Sequence, residues 1–131
     1  MDEEARGSCL CGAVRWRAAL PAKWVAHCHC TMCRRAHGAG YVTWVGVRED
    51  GFVLDDPQGA FRSHDSSPGA QRGFCGRCGS PFLFRSTRWP GEVHLARGSF
   101  LTPLAQAPQS HVFFDTHVDW APVGDALPHE P

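Results

Sequence analysis

Two short stretches decide the fold: Cys9-Leu10-Cys11-Gly12 near the start of the chain and Cys75-Gly76-Arg77-Cys78-Gly79 beyond its middle. Two residues between thiols is the spacing of a zinc knuckle. Both sulfurs reach one ion, backbone amides of the turn donate to them, and glycine permits the tight backbone. A one-residue gap chelates as well where the chain bends locally. Zinc takes four ligands, with thiolates at about 2.3 Å, and the two pairs supply four thiolates. A site of this kind is a structural clip, because it ties the start of the chain to a hairpin more than sixty residues away. A CxxC pair also occurs in redox proteins, but no thioredoxin-like βαβ pattern surrounds this one.

Between these stretches lies Cys28-His29-Cys30-Thr31-Met32-Cys33, three thiols in six residues. Three protein ligands plus an open position is the arrangement of a catalytic zinc. A small thiol from outside could fill that position, and the metal would hold it as a thiolate. The other reading is a second closed site with a histidine as fourth ligand. His27, His29 and His37 are all close in sequence, and His37, just beyond Cys33, is the best placed. Spacing leaves the open and closed readings both standing.

The seven cysteines are an odd number, and all sit in tight clusters. Disulfide frameworks spread their cysteines to close long loops, whereas metal sites cluster them. A chain of 131 residues fits a single domain over 1–131. The 14 glycines and 10 prolines signal many turns, and metal cross-links help hold so loop-rich a fold. With 13 basic and 13 acidic side chains the formal charge is zero, which lacks the footprint of a nucleic-acid binder. The opening Met1-Asp2-Glu3-Glu4 lacks the positive charge and apolar run of a secretory signal. No apolar stretch approaches the ~20 residues that span a bilayer. A cytoplasmic location is the default expectation.

The clearest periodicity is two. Val14, Trp16 and Ala18 alternate with Arg15 and Arg17 as in a half-buried strand. Tyr41 to Val47, Phe52 to Leu54, Phe82 to Phe84, Val93 to Ala96 and His111 to Phe114 are further short strands between turn signals. Their close spacing predicts a mainly β domain of small antiparallel sheets. One short helix is predicted over Thr31 to His37, with Thr31 capping its start and Gly38 its end. Ser99 to Gln109, with two prolines, reads as a loop.

Four ordered segments carry a family resemblance: Gly7-Ser8-Cys9-Leu10-Cys11-Gly12-Ala13-Val14, Cys28 through Arg35, Arg72-Gly73-Phe74-Cys75-Gly76-Arg77-Cys78-Gly79-Ser80, and Pro108-Gln109-Ser110-His111-Val112-Phe113 through Trp120. Together they resemble the glutathione-dependent formaldehyde-activating enzyme family, the CENP-V/GFA domain, over about residues 7–120. The resemblance implies a fold similar to the zinc β fold of methionine-R-sulfoxide reductases. It implies two zinc ions per chain. One is structural, on Cys9, Cys11, Cys75 and Cys78. The other is catalytic, on Cys28, Cys30 and Cys33. It also implies a carbon–sulfur lyase that condenses formaldehyde with glutathione.

The expected function is accordingly zinc-dependent joining or cleavage of a small thiol, such as glutathione, and a carbonyl compound. The alternatives are a non-enzymatic zinc or thiol-binding module and a redox sensor whose zinc thiolates oxidise. Arg34 and Arg35 follow the thiol tripod and could offset its negative charge or hold a substrate carboxylate, or be a solvated surface pair. His111 could shuttle a proton or be a hydrogen-bonded structural histidine. Trp16, Trp24, Trp44, Trp89 and Trp120 supply core area or line a pocket. Asp115 and Asp119 receive no role.

Overall fold

The computed structural model describes residues 3–131; Met1 and Asp2, which open the stretch read above for a signal sequence, lie outside the described residues. Among the described residues ten strands follow in chain order: β1 (Glu4–Ser8), β2 (Arg15–Ala19), β3 (Trp24–Cys28), β4 (Val42–Arg48), β5 (Phe52–Asp55), β6 (Phe61–Ser67), β7 (Ala70–Cys75), β8 (Pro81–Ser86), β9 (Glu92–Ala96) and β10 (His111–Val112). One helix, α1 (Thr31–His37), lies between β3 and β4. The strands form a three-stranded sheet in the order β1-β2-β5 and a seven-stranded sheet in the order β10-β3-β4-β9-β8-β7-β6. All neighbours run antiparallel except β10, which lies parallel to β3. The architecture is the mainly β one that the sequence predicts.

Alternation on β2 is as read, with Trp16 and Ala18 buried and Arg15 and Arg17 exposed. Trp16 lies flat against Gly7 on β1, where a Cβ would come within 2.1 Å of its ring. Only glycine allows so close an approach. The valines of β4 and β9 bury Val45, Val47, Val93 and Leu95 on one face of the large sheet. That apolar face forms the core with the small sheet.

Two local expectations change. Cys30, not Thr31, precedes the first turn of α1, and no side chain caps it. Gly38 does close the helix, in the left-handed region at φ 61°. The last strand stops at Val112, because Phe113 turns to φ 55° and starts a 3-10 turn over Phe114–Thr116. Residues 100–109 are a loop, pinned by Leu101 N–H to Arg6 O (2.8 Å) and Gln109 N–H to Val25 O (2.9 Å). The Gln106 amide bonds both backbone groups of Ala22, at 2.7 and 2.9 Å, and so stands in for a strand residue.

Candidate metal centre and thiol cavity

The first and last thiol pairs meet. The four sulfurs of Cys9, Cys11, Cys75 and Cys78 all lie within 4.8 Å of one another. Cys9 to Cys11 is 3.7 Å and Cys11 to Cys75 is 3.8 Å. A tetrahedron with zinc–sulfur bonds of about 2.3 Å has edges of about 3.8 Å, so this donor set fits zinc. Backbone amides point at the sulfurs as a knuckle requires. Val14 N–H donates to Cys9 at 3.4 Å, and Arg77 and Cys78 N–H donate to Cys75 at 3.3 and 3.4 Å. The site bridges the turn after β1 to the β7–β8 turn, and so joins the two sheets.

The middle group is assembled differently. Cys28 ends β3, Cys33 lies on the buried side of α1, and their sulfurs are 3.6 Å apart. Cys30, between them, belongs to no set of three donors within 4.8 Å among the described residues. It does line the same cavity as Cys28 and Cys33, a space of about 670 Å³. The Cys28–Cys33 edge therefore suits one ion, and Cys30 stands on the same cavity wall without joining that edge.

The strand registers explain this cavity. Trp24, Ala26 and Cys28 on β3 share a face with Trp44 on β4, His94 on β9, Phe84 on β8 and Arg72 on β7, all residues of the cavity wall. Aromatic rings make much of it apolar, and Cys28, Cys30 and Cys33 lie on its wall. A second hollow of about 750 Å³, near Asp65, Arg85 and Glu92, contains no thiol.

Arg72 is the cavity cation that reaches a thiol. It is buried, its Nη2 lies 3.6 Å from Cys33 Sγ, and its guanidinium covers the Phe84 ring at 4.8 Å. Among the described residues its Nε and Nη1 have no hydrogen-bond partner. A bond from Cys28 and the Arg72 charge hold the Cys33 thiol below its ordinary range, while Cys28 is pushed up by its bond to Cys33 and by burial. Arg34 and Arg35 were the sequence candidates for this duty, yet Arg35 instead reaches Thr31 O at 3.3 Å, and the bond to Cys33 comes from Arg72. Arg72 stands within a quoted motif, but its direction depends on β7 register, which the sequence does not display.

The ring of His37 packs edge-on against Trp44 at 5.2 Å, and among the described residues it joins no group of metal donors. His29 and His111 bond each other at 2.8 Å and are fully buried, and His111 is not among the cavity-wall residues. His94, which sequence reading missed, does reach the cavity. Its Nε2 lies 2.8 Å from Glu92 Oε1, and Lys23 Nζ stands 2.9 Å from the other oxygen of that carboxylate. Burial would raise Glu92, but bonds from His94, Lys23 and Trp24 outweigh it and hold the carboxyl down. Burial also lowers His94, which keeps it neutral. Trp24, Trp44 and Trp89 line the cavity, Trp16 is core, and Trp120 is exposed.

A mainly β fold with a four-thiol clip and a second thiol group in an apolar cavity defines a class of small cysteine-clustered domains with donor sets suited to zinc. The sequence profile of the glutathione-dependent formaldehyde-activating enzymes matches residues 4–116, and the chain belongs to that family. A protein of Halomonas elongata, provisionally described as a glutathione-dependent formaldehyde-activating enzyme, is 32% identical over 130 residues, covering 89% of this chain and 79% of that relative. A crystal structure of a Rhodobacter sphaeroides protein superposes with a TM-score of 0.65 at 19% identity, covering 95% of this chain and 98% of that one, and supports the fold. Among the described residues, no helix is long and apolar enough to cross a membrane.

Proposed function

We propose that the protein is a zinc-dependent enzyme that joins a small thiol, glutathione or a close analogue, to a carbonyl carbon such as that of formaldehyde, or cleaves the product. The observation that carries this reading is the meeting of Cys28, Cys30, Cys33 and Arg72 in one aromatic-walled cavity. Family membership and the description of the Halomonas relative support the thiol and the aldehyde as substrates. Cys9, Cys11, Cys75 and Cys78 would hold a structural zinc, and Cys28, Cys30 and Cys33 a second one. The second zinc, when bound, lowers the pKa of an incoming thiol and favours its thiolate.

The reaction is an addition. The sulfur lone pair forms a bond to the carbonyl carbon, the C=O π pair moves to oxygen, and the proton lost by the thiol ends on that oxygen. The walls formed by Trp24, Trp44, Trp89 and Phe84 exclude water and hold the two reactants together. Arg72 offsets the negative charge of the thiolates, and its unpaired Nε and Nη1 are donors for an anionic group of the ligand. His94 carries the proton: Glu92 accepts from Nε2–H, which leaves Nδ1 as the basic nitrogen.

Calorimetry with glutathione, in buffers of different ionisation enthalpy, tests the reading. Binding should release a proton and strengthen as pH rises toward the free thiol pKa of roughly 8.5. S-methylglutathione, which forms no thiolate, should bind far more weakly. Equal binding of both without proton release would remove the mechanism. Tight thiol binding without turnover of formaldehyde would identify a thiol-binding module. The 3.6 Å Cys28–Cys33 pair favours one further outcome: a mild oxidant that releases zinc reversibly would identify a redox sensor.

A further inference from the structure

Alternation along β3 sends His27 to the side of the sheet opposite Cys28 and its cavity. On that side one ring nitrogen of His27, one of His111 and a carboxylate oxygen of Asp125 lie within 4.8 Å of one another. We infer that these three residues form a third metal site, for a divalent first-row transition ion, built from nitrogen and oxygen donors alone. It does not depend on the thiol–carbonyl reading of the cavity.

The geometry suits such an ion. With metal–ligand bonds of about 2.1 Å, neighbouring donors stand about 3.0–3.4 Å apart. His111 Nε2 and Asp125 Oδ2 are already 3.0 Å apart. Histidines that bind metals engage their other nitrogen with an outer partner, which fixes the ring. Both rings do so here. His111 Nδ1 is 2.8 Å from His29 Nε2, and His27 Nδ1 is 2.8 Å from the Thr43 hydroxyl. Each is left with Nε2 for an ion. The parallel pairing of β10 with β3 sets His111 beside His27, with ring centroids 4.8 Å apart. A hydrogen bond from His111 to Asp125 accounts for those two residues, but not for a second imidazole brought to the same carboxylate.

The site also has a consequence for the cavity. Asp125 belongs to the C-terminal segment that runs beside β10, held by His111 N–H to Pro128 O at 2.9 Å and Glu130 N–H to His111 O at 2.7 Å. That segment ends in Glu130 and Pro131, which form part of the cavity wall. An ion at the three residues would fasten the segment and steady that wall.

The test is a Co²⁺ titration of the full chain, first given two equivalents of Zn²⁺, which thiolate sites take ahead of nitrogen and oxygen donors. Thiolate sites prefer Zn²⁺ to Co²⁺ and stay filled. One Co²⁺ per chain is expected, with weak ligand-field bands and no sulfur-to-cobalt charge transfer. Asp125→Ala, at an exposed position, should weaken uptake at least tenfold, and His27→Gln should do the same, while Cys30→Ser should not. No uptake, or uptake unchanged in both Asp125→Ala and His27→Gln, overturns the site. Uptake with sulfur charge transfer also overturns it, and reports an unfilled thiol group instead, so the two readings fail with different spectra.

Discussion

Arg72 and Cys33, thirty-nine residues apart in sequence, meet inside the protein with the guanidinium Nη2 3.6 Å from the sulfur. Both are buried, and the Arg72 charge adds to the bond from Cys28 in favouring the Cys33 thiolate. In water such a pairing would contribute little. Away from bulk water it affects how readily thiolate accumulates there.

Arg72→Gln should therefore weaken glutathione binding. Hydrogen bonds to buried charged groups contribute about 1.5–3 kcal/mol, which corresponds to roughly 10- to 150-fold in affinity. Arg72→Lys keeps the charge but loses the planar fork, and should recover part of the loss. Calorimetric titration of the three proteins measures this. Equal affinity in all of them would remove Arg72 from the binding machinery.

His94→Gln should slow the condensation of thiol and aldehyde by roughly 10²-fold, the lower range for a general acid–base group. Thiol affinity should change little. Burial holds His94 below its ordinary pKa of 6.5, so the neutral ring is the form present at pH 7. Wild-type turnover should fall only as pH drops through that depressed value, because protonation removes the basic Nδ1. The inflection should vanish in the variant. A pH–rate profile that is the same for both proteins would contradict the role.

The two thiol groups should differ in what they do for stability. Cys78→Ser strips one ligand from a clip that spans both sheets. Structural zinc contributes on the order of 10 kcal/mol in small domains, which rivals the whole stability of a domain. Insoluble or unfolded protein is expected. Cys30→Ser affects a site among near neighbours and should leave a cooperative thermal transition. Circular dichroism melts distinguish the cases, and equal collapse of both would refute the division.

Gly7→Ala should destabilise the small sheet. The added methyl would meet the Trp16 ring at 2.1 Å, and Trp16 is anchored by its Nε1–H to Ser99 Oγ at 3.3 Å. Overpacking of this kind costs about 1–3 kcal/mol. Urea denaturation should show a lower midpoint with the slope unchanged.

The clip was legible in the sequence because ligand pairs are local and their spacing is diagnostic. Strand β2 was legible because its two faces differ in polarity. Strands β6 and β7 were not: β6 is the edge of the large sheet, and its Arg62, Ser63, His64 and Asp65 are all exposed. An edge strand needs no apolar alternation, so nothing in composition marks it. Strand β1 escaped notice for a related reason, since its inward residues are only Ala5 and Gly7. Arg72, His94 and the shape of the cavity follow from pairing among β3, β4, β9, β8 and β7. Register over such distances is set by the assembled sheet and by no local pattern.

The four-thiol clip also has a temporal side. Its two halves lie 64 residues apart between Cys11 and Cys75. At synthesis rates of about 5–20 residues per second, Cys9 and Cys11 leave the ribosome roughly 3–13 seconds before their partners. During that interval they are a bare dithiol on a nascent chain, open to oxidants and to stray metal. The clip can close only once the β7–β8 turn has emerged, so with zinc as its ion a metal shortage would act on newly made molecules before those already assembled.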